Sequence, residues 1–191
     1  MGIHTTDIDN ICKGVLRRTA TAAEQATYDT PTYTQAGTVN GFVASTDNGQ
    51  QVRPIIRLFR VAFCRTPDSG GLDYWVAGYR GQGSTIGYGG TALLNIMNSM
   101  ATYSEYQSQY PASMSNVDFV TKVYAQALKR APDSAGGAYW VNLLDTGQKS
   151  RTEMIVEFSQ SSECINTTDA NVTVFQKDCG NLASWAYQDP I

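Results

Sequence analysis

The sequence predicts an all-α protein: three tandem three-helix repeats sharing a core, followed by an irregular C-terminal extension. Three observations carry that prediction. Displacing the sequence by 65 positions lays RTPDSGGLDYWV (Arg65 to Val76) on RAPDSAGGAYWV (Arg130 to Val141), with eight of twelve residues identical. Self-similarity at a fixed distance marks a repeat. Upstream of each arginine, Ile55, Leu58, Phe59, Ala62 and Phe63 align with Val120, Val123, Tyr124, Ala127 and Leu128. Their spacing of i, i+3, i+4, i+7, i+8 is one face of an α-helix. Finally, Ile8, Ile11, Cys12, Val15 and Leu16 repeat the same spacing, and Arg18 follows Leu16 by two as Arg65 follows Phe63, which makes a third, degraded copy.

The first repeat spans residues 5–48. Ala20 and Thr21 stand where the other copies have Pro and Asp, and Tyr28 stands in place of the tryptophan. It closes on Val39, Phe42 and Ser45, matched by Leu93, Ile96 and Ser99 in the second copy and by Ile155, Phe158 and Ser161 in the third. The second repeat, 52–110, carries the corner Arg65, Pro67, Asp68 and the aromatic Trp75. It also holds the insertion GQGSTIGYGG (Gly81 to Gly90), too glycine-rich for regular structure and expected to form a mobile surface loop. The third repeat, 116–163, carries Arg130, Pro132, Asp133 and Trp140, and Ser150-x-x-Glu153 is a capping box that opens its last helix. The extension, 164–191, shows a short alternation at Val172 and Val174 with Phe175, Leu182 and Trp185, and is expected to pack back or to reach a neighbouring subunit. Units of this kind bury their apolar faces against one another, so a shared core is expected.

Composition narrows the function classes. Charged residues make up 16% of the chain and the formal net charge is −3, which is not the basic footprint of a nucleic-acid binder. Lys13, Arg17 and Arg18 are too few to change that. Apolar runs are short and the N-terminus has neither a cationic leader nor a hydrophobic stretch, so no membrane span and no signal peptide are expected. The short myristoylation match at Met1, Gly2 and Thr6 and the glycosylation sequons at Asn166 and Asn171 read as chance. Cys12, Cys64, Cys164 and Cys179 lack metal-ligand spacing and His4 is the one histidine, so no metal and no cofactor are expected.

The Arg-x-Pro-Asp-Ser corner has a complete structural explanation. Proline ends the first helix, Asp68 or Ser69 (Asp133 or Ser134) caps the next, and the arginine pairs with the aspartate across the turn. Trp75 and Trp140 fall on apolar stripes and read as core anchors. Cys12 takes a core slot and reads as a buried thiol, whereas Cys64 aligns with the polar Arg17 and Lys129 and is expected to be exposed or half-exposed. With no second histidine, a cysteine-based dyad is poorly supported, and no catalytic residue is assigned. Cys164 and Cys179 flank the extension and form a candidate disulfide in an oxidising setting. The insertion lacks the Gly-Lys-Ser/Thr ending of a phosphate-binding loop. Eleven tyrosines and three tryptophans could line a sugar-binding face.

At these residues the chain resembles a bacterial and phage helical repeat family known as domain-of-unknown-function family 4214. Its pattern is carried best by the third copy: Phe119-Val120, Tyr124, Leu128, Arg130, Pro132, Asp133, Gly136, Trp140, Leu143-Leu144, Gly147, Ser150-Arg151, Phe158 and Ser162-Glu163. The middle copy fits as far as Trp75, and the first fits in its apolar positions and Arg18. The chain also looks distantly like the linker domains of phycobilisome rods, from Arg53 to Arg60 and from Ser104 to Tyr110. The first resemblance implies modules of surface-associated bacterial proteins and phage structural proteins, with no catalytic residues to carry over. The expected function is a non-enzymatic bacteriophage virion component, in the tail, neck, baseplate, fibre attachment or capsid decoration. Its expected partners are other virion proteins and copies of itself, without nucleic acid or membrane. The alternative is a bacterial surface or matrix adhesin that binds glycans.

Overall fold

The computed structural model describes residues 4–81 and 91–181. The glycine-rich insertion beyond Gly81, the myristoylation match at Met1 and Gly2, and Leu182 and Trp185 lie outside the described residues. Among the described residues the chain is all-helical and forms eleven α-helices. They are α1 (Thr5–Leu16), α2 (Ala22–Tyr28), α3 (Gln35–Ala44), α4 (Arg53–Phe63), α5 (Ser69–Gly81), α6 (Thr91–Met100), α7 (Ser104–Gln109), α8 (Asn116–Leu128), α9 (Ser134–Asp145), α10 (Arg151–Ser159) and α11 (Ser162–Asn181). A π-helical turn, Asn48–Val52, leads directly into α4, whose second residue, Pro54, occupies a position where a helix needs no N–H donor.

The three helices with the five-residue stripe bury it: Ile8 to Leu16 on α1, Ile55 to Phe63 on α4 and Val120 to Leu128 on α8. All three end the same way. Arg17, Cys64 and Lys129 follow them with φ of 61°, 58° and 56°, the left-handed residues that stop a helix and turn the chain. Glycine is the usual residue there, and these three positions pay for its absence with a steric cost at Cβ.

The sequence expected one core, and the structure divides it. Ile8, Ile11, Cys12, Val15, Leu16, Val39, Phe42 and Val43 of α1 and α3 form one buried group, and the apolar residues from Val52 onward form the larger one. The link between them is α11, which packs on α1 and α3 as well as on α4 and α8. Contact with α1 is close because both helices present a glycine. A Cβ on Gly14 would lie 2.7 Å from the carbonyl oxygen of Cys179, and one on Gly180 would lie 3.0 Å from Val15. Polar groups fix the same junction: the buried amides of Asn48 and Gln176 bond to each other, Arg53 Nε donates to Gln176 Oε1 at 3.1 Å and Arg53 Nη2 to Thr173 Oγ1 at 2.8 Å.

The extension expected to be irregular is therefore a helix through Asn181, and it begins before residue 164. Its buried stripe is Cys164, Thr168, Val172, Phe175, Gln176 and Cys179, spaced as one helical face. Val174, part of the apparent alternation, points to solvent. The candidate disulfide fails for the same reason. Cys164 and Cys179 sit on one helix, where fifteen residues amount to about 22 Å at ~1.5 Å per residue, against a Cα separation of at most about 7 Å in a disulfide; both are free and buried.

Candidate functional site

The arginine corners share a plan that recurs three times among the described residues: an arginine donates to the carbonyl of the next residue and to a distant acid. In the second corner Arg65 Nε and Nη2 donate to the two carboxylate oxygens of Glu105 at 2.7 and 2.9 Å, and Nη1 donates to the carbonyl of Thr66 at 3.0 Å. In the third, Arg130 Nε and Nη2 donate to Glu163 at 2.6 and 3.0 Å, and Nη1 to the carbonyl of Ala131 at 3.2 Å. In the first, Arg18 Nε donates to Asp47 at 2.8 Å and Nη1 to the carbonyl of Thr19 at 3.0 Å, while Glu24 takes a bidentate pair at 2.8 Å. The guanidinium also lies over a ring six residues upstream, Phe59 at 5.6 Å and Tyr124 at 5.2 Å; Cys12 holds that slot in the first corner, 3.7 Å from Arg18 Nη1.

The arginine–aspartate pairing expected across the turn is present, but it is not the arginines' shortest contact. Asp68 and Asp133 lie 3.9 and 3.5 Å from their arginines, at the outer limit of an ion pair. Their main role is to cap the following helix: Asp68 Oδ1 accepts from Gly71 N and Asp133 Oδ1 from Gly136 N, each at 2.8 Å. Thr21 does this in the first corner, in a reciprocal box with Glu24. The arginine binds more closely an acid at the start of the element after the third helix of its corner: Asp47 before the π-helical turn, Glu105 on α7, Glu163 on α11. That acid sits five residues after a buried side chain, Phe42, Met100 or Phe158. The closing position of the second copy is therefore Met100 rather than Ile96, one helical turn from where the sequence alignment placed it. Ile96, Met97 and Met100 are buried like Met154, Ile155 and Phe158, which agrees with that register.

Electrostatics follow the geometry. The guanidinium of Arg18 holds the Glu24 carboxyl down to about 2, from 4.5. Arg130 lowers Glu163, and the backbone N–H of Gly136 lowers Asp133, with Arg130 adding to it. Burial pushes the Cys12 thiol up to about 12 and that of Cys179 to about 11, so neither is a ready nucleophile. Cys64 is exposed at the left-handed position, with no histidine beside it in the sequence. Among the described residues, no three His, Cys, Asp or Glu side chains are grouped to hold a metal ion.

Each corner also has an anchor ring on its second helix: Tyr28, Trp75 or Trp140. Trp75 is buried, as expected. Trp140 is only half-buried, and α9 has no buried residue at all. Its ring meets Phe158 at 5.2 Å and Tyr139 at 5.6 Å, both edge-on. Beside it opens a cleft of about 500 Å³, floored by Tyr124, Leu128, Trp140 and Phe158 and rimmed by Arg130, Glu157, Ser161 and Glu163. Sequence reasoning named the arginines, the capping residues and the anchor rings but missed Glu24 and the arginine-binding roles of Asp47, Glu105 and Glu163; for the last three the signal is an acid five residues past the closing apolar position.

Comparison with known proteins adds one finding. The model of a domain of unknown function, DUF4214, matches residues 97–168, while no curated protein and no solved structure matches the chain. Those residues run from the end of α6 into α11 and contain the whole third corner from stripe to acid. Over residues 97–168 the chain is therefore similar to the DUF4214 family.

Proposed function

We propose that the chain is a non-enzymatic structural protein that acts through protein–protein contacts, and that its setting is a bacteriophage virion. The observation that carries the reading is how the conspicuous side chains are spent. The corner arginines, their acids and the capping aspartates are bonded to one another and to backbone, holding helix ends together. The side of the molecule around α9 keeps Trp140, Val141 and Leu144 half-covered, with Tyr139 exposed on the same helix and Val117 exposed on α8. Half-covered aromatic and aliphatic groups on a rigid frame suit a contact surface. The virion setting rests on the family resemblance rather than on any single residue.

Mass spectrometry of purified particles of the phage that encodes the chain tests the setting: the chain is expected at a fixed copy number, and its absence from particles removes the virion reading. The adhesin reading has an observation of its own, the exposed rings of Tyr33, Tyr74, Tyr103 and Tyr139. A monomeric chain that binds a glycan array, and loses that binding on Trp140→Ala, would decide for it.

A further inference from the structure

The three corners differ in what covers the anchor ring. In the first, the ring of Tyr33 meets Tyr28 edge-on, with centroids 5.0 Å apart and planes at 79°. In the second, Tyr103 meets Trp75 edge-on at 6.2 Å and 66°. Tyr103 is the residue two before the acid Glu105; the same place before Glu163 belongs to Ser161, which lines the third cleft. Serine has no ring to offer. Among the described residues Trp140 has Tyr139 and Phe158 as ring neighbours and no counterpart of Tyr33 or Tyr103. The cleft is thus the space that a tyrosine fills in the equivalent corner.

We propose that this cleft receives an aromatic side chain, tyrosine in chemistry, from a partner polypeptide; the proposal rests on the protein-contact reading and names what that surface takes. Edge-to-face pairing with centroids about 4.5–7 Å apart selects a flat ring over an aliphatic chain, and a volume of about 500 Å³ admits one with room for its backbone. The rim favours a ring over a sugar. Saccharide hydroxyls need several free donors and acceptors, and Arg130 already gives an N–H from each of Nε, Nη1 and Nη2 to Glu163 and Ala131, most of its donors. Glu157 is committed to Lys149 at 2.5 Å. These paired charges surround an apolar floor, an arrangement like that of interface hot spots with their polar rims.

4-Methylphenol, the tyrosine side chain without its backbone, is the probe, read by NMR on the indole N–H of Trp140. Saturable shifts with a single site are expected in the full chain. Ser161→Tyr, which rebuilds the second corner's arrangement, is expected to weaken that site at least tenfold, and Tyr103→Ser to add a second site at Trp75. Should Ser161→Tyr fail to fold by circular dichroism, the gain of a site in Tyr103→Ser carries the test alone. Absence of saturable shifts at Trp140, equal shifts in Ser161→Tyr, no second site in Tyr103→Ser, or shifts with methyl glucoside but not 4-methylphenol would each overturn the proposal. A chain present in particles with a cleft that ignores the probe sinks this inference alone. One that binds the probe but occurs in no assembly sinks the functional reading.

Discussion

Single residues set the corners, and two of them can be weighed by substitution. Lys129 is exposed and left-handed, so its side chain contributes a steric cost and little packing. Lys129→Gly is expected to stabilise the chain by about 0.5–1 kcal/mol, a rise of about 1–4 °C in melting temperature for a chain of this size. Glu24 titrates well below its ordinary value because Arg18 and the Thr21 cap favour its charged form. A carboxyl with a depressed folded pKa contributes stability that is complete above about pH 4.5 and is lost as the pH falls toward 2. Urea melts across that range are expected to show Glu24→Gln with a flatter acid limb than the parent. Proline and aspartate were legible in sequence because each has one local job, whereas the acid that the arginine binds lies 29 to 40 residues away. The half-exposure of Trp140 was not legible, since it depends on Ser161, twenty-one positions away, standing where another corner has tyrosine.

Helices carry the next level, and matched glycines separate close packing from propensity. Gly14 faces the backbone of Cys179 and Gly180, whereas Gly78 on α5 is exposed with nothing within 4 Å of a built Cβ. Gly78→Ala is expected to stabilise by about 0.5–1 kcal/mol through helix propensity. Gly14→Ala is expected to destabilise by about 1–3 kcal/mol, because two helices must part. Thermal melts of the pair with opposite signs would establish the α1–α11 contact. The stripe helices α1, α4 and α8 announce themselves because all five positions of each stripe are apolar, aromatic or cysteine. The helix α11 does not: Thr168 and Gln176 interrupt its buried face, so the apolar residues alone read as an alternation. Thr168 settles its hydroxyl on the carbonyl of Cys164 at 2.7 Å, which removes the penalty for burying it.

At the scale of the whole molecule, the two apolar groups depend on a polar junction. Gln176 is buried, and its amide completes Asn48 while accepting from Arg53. Gln176→Leu is expected to cost about 1–3 kcal/mol for each partner left without its bond. Hydrogen exchange is expected to speed up first in α1 and α3, ahead of α4 and α8. Equal loss of protection throughout would mean that the two groups unfold as one. The helical class was readable from the repeated stripe, but the division of the core was not, because no local pattern says which helix bridges two groups.

The same bridge sets an order of events during synthesis. Each corner closes over a short stretch of chain: Arg18 reaches Asp47 across 29 residues, Arg65 reaches Glu105 across 40, and Arg130 reaches Glu163 across 33. Arg17 meets Cys179 across 162. Local contacts form early and distant ones late, so on the ribosome the corners assemble one after another while the seam along Gly14 and Val15 stays open. The seam face of α1 is covered only once α11 has been made, and a nascent chain stalled before Cys179 would present that seam to chaperones.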